Sequence, residues 1–336
     1  MTNTESPVTI LGAGSWGTAI AILLSQNGKP TLLWGHNADH ISTMTSSHCN
    51  ARYLPGIQLP DTLTLTNNLD EAVSFASNII VAVPSYAFRS TLEILVPRLD
   101  DNVRIAWASK GIETETNKLL HEVAEDVLGK KMPLAVISGP TFASEVAAGM
   151  PTALTIASRS SRFANDLATR LHDTYFRAYT CDDVIGVEVG GAIKNVLAIA
   201  AGIADGLGFG ANTRAAVITR GLVEMTRLGI ALGGEQTTFM GLAGLGDLVL
   251  TCTDDKSRNR RLGLGIAQGK TPELARNDIG QVVEGIQTSR AVYELASKHR
   301  VEMPICEQVY HVLFEQREAR VAVSELFNRE LKSENL

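Results

Sequence analysis

Val8-Thr9-Ile10-Leu11-Gly12-Ala13-Gly14-Ser15-Trp16-Gly17 is an apolar run that stops at a glycine, and Thr18-Ala19-Ile20-Ala21-Ile22-Leu23-Leu24 continues it as a helix-like segment. The glycines fall in the spacing G-x-G-x-x-G. A buried strand, a turn needing glycine dihedrals and a helix follow one another in the order that points unpaired N–H groups and a positive dipole end at a pyrophosphate. Gly12 is expected to permit the tight turn, Gly14 to let backbone approach a phosphate, and Gly17 to let the helix pack on the strand. The competing reading is an ordinary tight turn. A second glycine group, Gly241-Leu242-Ala243-Gly244-Leu245-Gly246, has no strand-like run before it.

The 336 residues exceed the usual single core, which favours two domains. Hydrophobic residues make up 45% and charged residues 20%, as in a folded protein rather than a disordered one. A formal net charge of -6 argues against a nucleic-acid binder that works by neutralising phosphates. Cys49, Cys181, Cys252 and Cys306 are far apart and form no C-x-x-C pair, so neither a zinc knuckle nor a disulfide framework is expected. The first seven residues carry no basic n-region, and the apolar run after them is broken by glycines, so a cytoplasmic protein without a secretory signal is expected. Val189 to Ala204 is strongly apolar, but Lys194 and Asn195 interrupt it. It reads as too short to span a bilayer, and as the buried helix of a globular domain.

Strand-like runs at Val8–Leu11, Thr31–Trp34, Asn78–Val83, Val103–Ala108, Leu134–Ile137 and Thr152–Ala157 alternate with helix-like segments. Beyond Asp183 the texture becomes helical, at Val184–Asp205, Thr213–Leu232, Asn259–Gln268, Thr288–Lys298 and Glu307–Phe314. The expected fold is α/β: a doubly wound, Rossmann-like, mainly parallel sheet over residues 1–182, then an all-α C-terminal domain over residues 183–336. The charged tail after Phe327 is expected to fray.

Ligands of open parallel sheets bind beyond the carboxyl ends of the strands. Pro84-Ser85, Ser109-Lys110-Gly111 and Ser138-Gly139-Pro140-Thr141-Phe142-Ala143 all follow expected strands, which places Lys110 on the same edge as the glycine loop. Its plain alternative is a solvated loop lysine. Lys194 is the only formal charge between Glu188 and Asp205, and burial among alanines, valines and isoleucines lowers a lysine pKa toward values useful for proton transfer. The alternative is a lysine that snorkels to the surface. Gly190 and Gly191, one turn earlier, imply that another backbone or a ligand comes close.

Asp247 precedes a polar cluster that runs through Asp254 and Asp255 to Ser257-Arg258-Asn259-Arg260-Arg261. Ser257 is the expected N-cap of a helix whose first turn is basic, the reverse of the dipole preference. Cations there make sense around a bound anion; the alternative is a solvated basic turn offset by the two acids. After Thr31–Trp34 no Asp or Glu stands where an NAD-selective site places one, and His36 or Arg52 is available to a 2'-phosphate. His36 and His40 lack a third ligand, so no metal is expected.

Taken together, Gly12 to Ala19, Ser109 to Gly111, Ser138 to Thr141, Gly191 to Asn195, Gly241 to Asp247 and Ser257 to Asn259 closely resemble bacterial NAD(P)-dependent glycerol-3-phosphate dehydrogenase, from residue 8 to beyond residue 310. The resemblance implies reversible hydride transfer between dihydroxyacetone phosphate and sn-glycerol 3-phosphate with NADP or NAD, supplying backbone for phospholipid synthesis. It implies dinucleotide contacts from Gly12, Gly14, Ser15, Trp16, Gly17, His36, Lys110, Ala143, Arg258, Val282 and Glu284. Lys194 would donate and accept the proton, Lys110 would polarise the substrate oxygen, and Asp247 would orient the lysines or a substrate hydroxyl. Ser257, Arg258 and Asn259 would hold the substrate phosphate, with Gly139 and Thr141 also at the substrate. A homodimer is compatible with the sequence, which leaves the oligomeric state and the NADP or NAD preference open. The rival readings are a hydroxy-acid dehydrogenase of the same plan and a redox sensor that binds NAD(P)H.

Overall fold

Eight strands form one sheet in the computed structural model, which describes residues 6–330 and Ser333. They are β1 (Val8–Leu11), β2 (Thr31–Trp34), β3 (Leu63–Thr66), β4 (Asn78–Val81), β5 (Arg104–Trp107), β6 (Leu134–Ser138), β7 (Thr152–Ala157) and β8 (Phe176–Cys181), in the spatial order β3-β2-β1-β4-β5-β6-β7-β8. Strands β1 to β6 pair in parallel, β7 runs antiparallel to β6, and β8 runs parallel to β7. The chain leaves β1 toward β2 and β3, then returns with β4 on the other side of β1. That reversal opens a crevice at the carboxyl ends of β1 and β4, just where the glycine turn lies.

All six expected strands are present, with ends that move by one or two residues. Two more strands form the sheet edges. Leu63–Thr66 and Phe176–Cys181 each expose part of their length, so they lack the continuous apolar run that marks β1 or β4. Among the described residues seven α-helices accompany the strands: α1 (Ser15–Gln26), α2 (Ala38–Ser47), α3 (Leu69–Phe75), α4 (Phe88–Leu95), α5 (Leu120–Leu128), α6 (Ala143–Ala147) and α7 (Ser161–Leu171).

Past β8 the chain is helical: α8 (Val184–Gly206), α9 (Ala211–Ala231), α10 (Gln236–Phe239), α11 (Asp247–Thr253), α12 (Arg258–Ala267), α13 (Pro272–Ile279), α14 (Glu284–His299), α15 (Pro304–Phe314) and α16 (Ala319–Phe327). A π-turn at Leu242–Gly246 leads into α11. Helix α8 is the axis of this domain, mostly apolar and buried along most of its length, and α9, α11, α12, α14 and α15 pack against it. Its 23 residues correct the expectation that the segment is too short to span a bilayer: by length and composition it could cross one. In the fold, however, 89% of its most apolar window is buried inside the protein. Lys194 therefore sits mid-helix in a protein core. The expectations for the first residues and for the charged tail fall largely outside the described residues.

Candidate active site

The three glycines of the opening turn do three different things. Gly12 has φ +122°, and a Cβ there would lie 2.6 Å from the carbonyl oxygen of Ala82 at the end of β4. A Cβ on Gly17 would lie 2.0 Å from the carbonyl oxygen of Gly12, so only glycine lets α1 start this close to the strand. Gly14 has nothing within 4 Å of its Cβ position; the space is open for a ligand. Helix α1 has no side-chain cap and no acid in its first turn, and the first intrahelical bond runs from Thr18 N–H to Gly14. The N–H groups of Ser15, Trp16 and Gly17 are left without an intrahelical acceptor, a cradle that fits a pyrophosphate.

A cavity of about 730 Å³ runs from this turn to the helical domain. His36 and Arg52 line it beyond β2, with the Arg52 guanidinium 5.1 Å from the Tyr53 ring centroid, and Ser15 Oγ donates to Tyr53 O. Trp16, Thr141, Ala143 and Val282 also line it. Glu284, at the start of α14, accepts from Ser85 Oγ at 2.7 Å and from Ser85 N–H at 3.3 Å, tying the helical domain to the end of β4. Burial raises the Glu284 pKa, and the Ser85 bonds and the Arg258 charge only partly oppose this.

At the inner end two lysines share one carboxylate. Lys194 Nζ donates to Asp247 Oδ1 at 2.7 Å and to Thr251 Oγ1 at 2.9 Å. Lys110 Nζ donates to Asp247 Oδ2 at 2.7 Å and to the carbonyl oxygen of Gly139 at 2.9 Å. Asp247 is wholly buried, at 0% exposure, so each cation compensates it in a medium of low polarity. Burial lowers the Lys194 pKa to about 8, with Asp247 opposing the fall and Lys110 adding to it. A lysine tuned to that range is charged enough at neutral pH to donate and weak enough an acid to take the proton back. The snorkelling alternative is excluded, because the side chain is buried and hydrogen-bonded. Glycines make the approach possible: a Cβ on Gly190 would lie 2.5 Å from the Ala243 carbonyl oxygen in the π-turn.

Ser257 caps α12 as expected, its side chain accepting from Arg260 N–H. The Arg258 side chain lines the cavity and, among the described residues, makes no hydrogen bond or ion pair with protein. Burial lowers its pKa, while Glu284 opposes that and Arg261 adds to it. A cation left without a protein partner beside a helix N-terminus fits an anion. Asn259 is different. Its amide donates to Asn195 Oδ1 at 2.9 Å and its Oδ1 accepts from Gly285 N–H at 3.0 Å, so the side chain braces α8, α12 and α14 together.

Sequence reading passed over Thr251, which stands four residues after Asp247 on α11 and so shares its face. It also passed over the roles of Ser85, Asn195 and Tyr53. Asn50 gave no local signal at all: its amide donates to Ala13 O and Thr18 Oγ1, pinning the glycine turn from 32 or more residues away.

Two family models match the chain: the NAD-dependent glycerol-3-phosphate dehydrogenase N-terminus over residues 7–164 and the C-terminus over residues 183–324. A glycerol-3-phosphate dehydrogenase [NAD(P)+] of Colwellia psychrerythraea is 54% identical, over 97% of this chain and 98% of that one. The same-named protein of Pseudoalteromonas translucida is 53% identical, over 99% and 100%. A crystal structure of glycerol-3-phosphate dehydrogenase from Coxiella burnetii superimposes with a TM-score of 0.94 at 48% identity, covering 97% of this chain and all of that one. With its glycine cradle, its paired lysines and these likenesses along nearly its whole length, the chain belongs to the NAD-dependent glycerol-3-phosphate dehydrogenase family.

Proposed function

We propose that this protein interconverts dihydroxyacetone phosphate and sn-glycerol 3-phosphate with NAD(P)H and NAD(P)+, supplying glycerol phosphate for phospholipid synthesis. The observation that carries the reading is the buried Lys110–Asp247–Lys194 centre, set between a phosphate-fitting glycine turn and the unpartnered Arg258. When bound, the nicotinamide supplies the hydride in reduction and receives it in oxidation.

The chain's own residues do the rest. The free N–H groups of Ser15, Trp16 and Gly17 hold the pyrophosphate, with Gly12 and Gly14 shaping the turn, while His36 reaches the adenosine end and Lys110, Ala143, Arg258, Val282 and Glu284 border the same ligand. Arg258, Ser257 and the first N–H groups of α12, that of Asn259 among them, hold the substrate phosphate. Thr141 borders the substrate carbonyl from the cavity wall, and Gly139 acts from behind it, its own carbonyl oxygen holding Lys110. Lys194 gives its proton to the carbonyl oxygen as the C–H bond forms, and takes it back from the hydroxyl in oxidation. Lys110 stabilises the charge growing on that oxygen, and Asp247 holds both ammonium groups at fixed positions.

The division at residues 182 and 183, work in the cytoplasm and assembly as a homodimer belong to the same proposal. The four free cysteines support a reducing compartment, and solution mass measures the assembly. The activity is tested by absorbance at the nicotinamide band with dihydroxyacetone phosphate, once with NADH and once with NADPH. Oxidation with this substrate and none with 2-keto acids supports the reading; turnover of the acids alone sustains the hydroxy-acid rival, and no turnover of either sustains the sensor.

A further inference from the structure

Behind the catalytic centre the molecule buries a second charged pair that the proposed reaction does not use. His121, in the first turn of α5, places Nδ1 2.5 Å from Glu188 Oε2, and its backbone N–H donates to Glu188 Oε1 at 2.9 Å. Their side chains are 9% and 2% exposed. Helix α5 belongs to the sheet and α8 to the helical domain, so this is a two-point tie across the seam between them.

Glu188 and Gly191 are neighbours three residues apart on α8, and so are Gly191 and Lys194. A Cβ on Gly191 would lie 2.8 Å from Ser138 Oγ and 3.6 Å from Lys110 Cγ, so the stem of Lys110 runs along bare α8 backbone. Two successive turns of one helix therefore carry the tie, the surface on which Lys110 lies, and Lys194 itself. Neither His121 nor Glu188 lines the cavity.

We propose that the His121–Glu188 tie is a positioning pair: it sets the depth of α8 against the sheet edge, and with it the spacing at which Lys110 and Lys194 share Asp247 and meet the substrate oxygen. The inference rests on the reading of those lysines as the catalytic pair. Its leverage comes from geometry, because a displacement of about 1 Å at reacting groups costs on the order of 10²-fold in rate. Burial pushes the His121 pKa down, but the Glu188 hydrogen bond and charge more than offset it, and the net shift is upward. The other charged groups facing His121 are Glu122, which adds to the rise, and Arg159, which opposes it.

Glu188→Gln keeps the shape of the pair and an acceptor for the His121 N–H but removes the charge. With it the His121 pKa falls, and on the acid side an imidazolium then faces an amide donor. The expected result is a new acid limb in kcat for dihydroxyacetone phosphate reduction, lying below the ordinary imidazole range because Glu188 no longer offsets burial, with a loss of about 10-fold on that limb that recovers toward neutral pH and KM for NADH within about 2-fold of the parent. Glu188→Ala, normalised to folded protein, is expected to lose about 10- to 100-fold in kcat across the pH range. A pair that only stabilised the fold would scale activity with the folded fraction and leave the profile unchanged. Parental kcat and an unchanged pH profile in Glu188→Gln overturn the proposal, and this variant decides alone if Glu188→Ala does not fold. Lys194→Ala, assayed alongside, separates the two readings. If it keeps turnover, the catalytic assignment fails together with this inference; if it loses turnover while Glu188→Gln behaves as parent, only the positioning role falls.

Discussion

The glycine turn and the lysine–aspartate–lysine centre stand at opposite ends of one cavity and are built on opposite principles. The turn works through absence: three missing side chains, three free N–H groups and no acid in the first turn of α1. The centre works through excess, with two ammonium groups crowded on a carboxylate that is almost wholly buried at the cavity wall. A site made of backbone is fixed by sterics and is indifferent to pH. A site made of buried charge is fixed by mutual compensation, and its proton affinities become its function.

That contrast can be broken most severely at Lys194. Lys194→Ala is expected to lower kcat by about 10²- to 10⁴-fold while leaving NADPH affinity near the parent value, since the proton donor is gone and the glycine cradle is intact. Stopped or steady-state turnover with fluorescence titration of the cofactor checks both halves; near-normal turnover would sink the assignment. Arg258→Ala removes a charge-assisted contact to an anion and is expected to raise KM for dihydroxyacetone phosphate about 10- to 100-fold. An unchanged KM would move the phosphate elsewhere.

The second and third glycines of the turn sharpen the other side of the comparison. Gly17→Ala drives a methyl group into the Gly12 carbonyl and is expected to destabilise the fold by roughly 1–3 kcal/mol. Gly14→Ala puts its methyl in open space, so melting should be unchanged while cofactor binding weakens. Equal melting losses in both variants would show that the opening at Gly14 is not a ligand space.

The smallest expected effect lies at a buried carboxylate with no lysine beside it. Glu224 accepts from the N–H groups of Ile305 and Cys306 at the start of α15, and burial raises its pKa to about 7 despite those bonds. The folded state thus binds this proton more tightly than the unfolded chain, whose value is near 4.5. Its stabilising contribution is complete below 4.5 and lost as pH rises through about 7. Relative to the parent, Glu224→Gln should gain a few degrees in melting temperature on going from acid to mildly alkaline buffer; a constant difference would contradict the assignment.

The same contrast decides how much was legible in the sequence. The glycine turn is local, with strand, turn and helix adjacent in the chain, and Gly12 and Gly17 show the tight turn and the close helix packing that their places in the spacing imply. Lys194 announced itself as a charge among apolar residues, and Gly190 and Gly191 correctly signalled close approach. What escaped were features whose meaning is supplied from far away. Edge strands β3 and β8 are half-exposed and look like loops, and the brace that the Asn259 side chain makes to Asn195 and Gly285 comes from residues 64 and 26 positions away. Asn50 and the His121–Glu188 tie join segments 32 and 67 residues apart, a separation that no window of sequence reveals.

The central claim is that a buried lysine, held by Asp247 and tuned to about 8, carries the proton in both directions. Its most direct test is kcat measured in both directions from about pH 6 to about pH 10. Opposite limbs are expected through about the same pH: reduction of dihydroxyacetone phosphate falls as Lys194 loses its proton near 8, and oxidation of glycerol 3-phosphate rises there. Profiles that move together, or stay flat across that range, would contradict it.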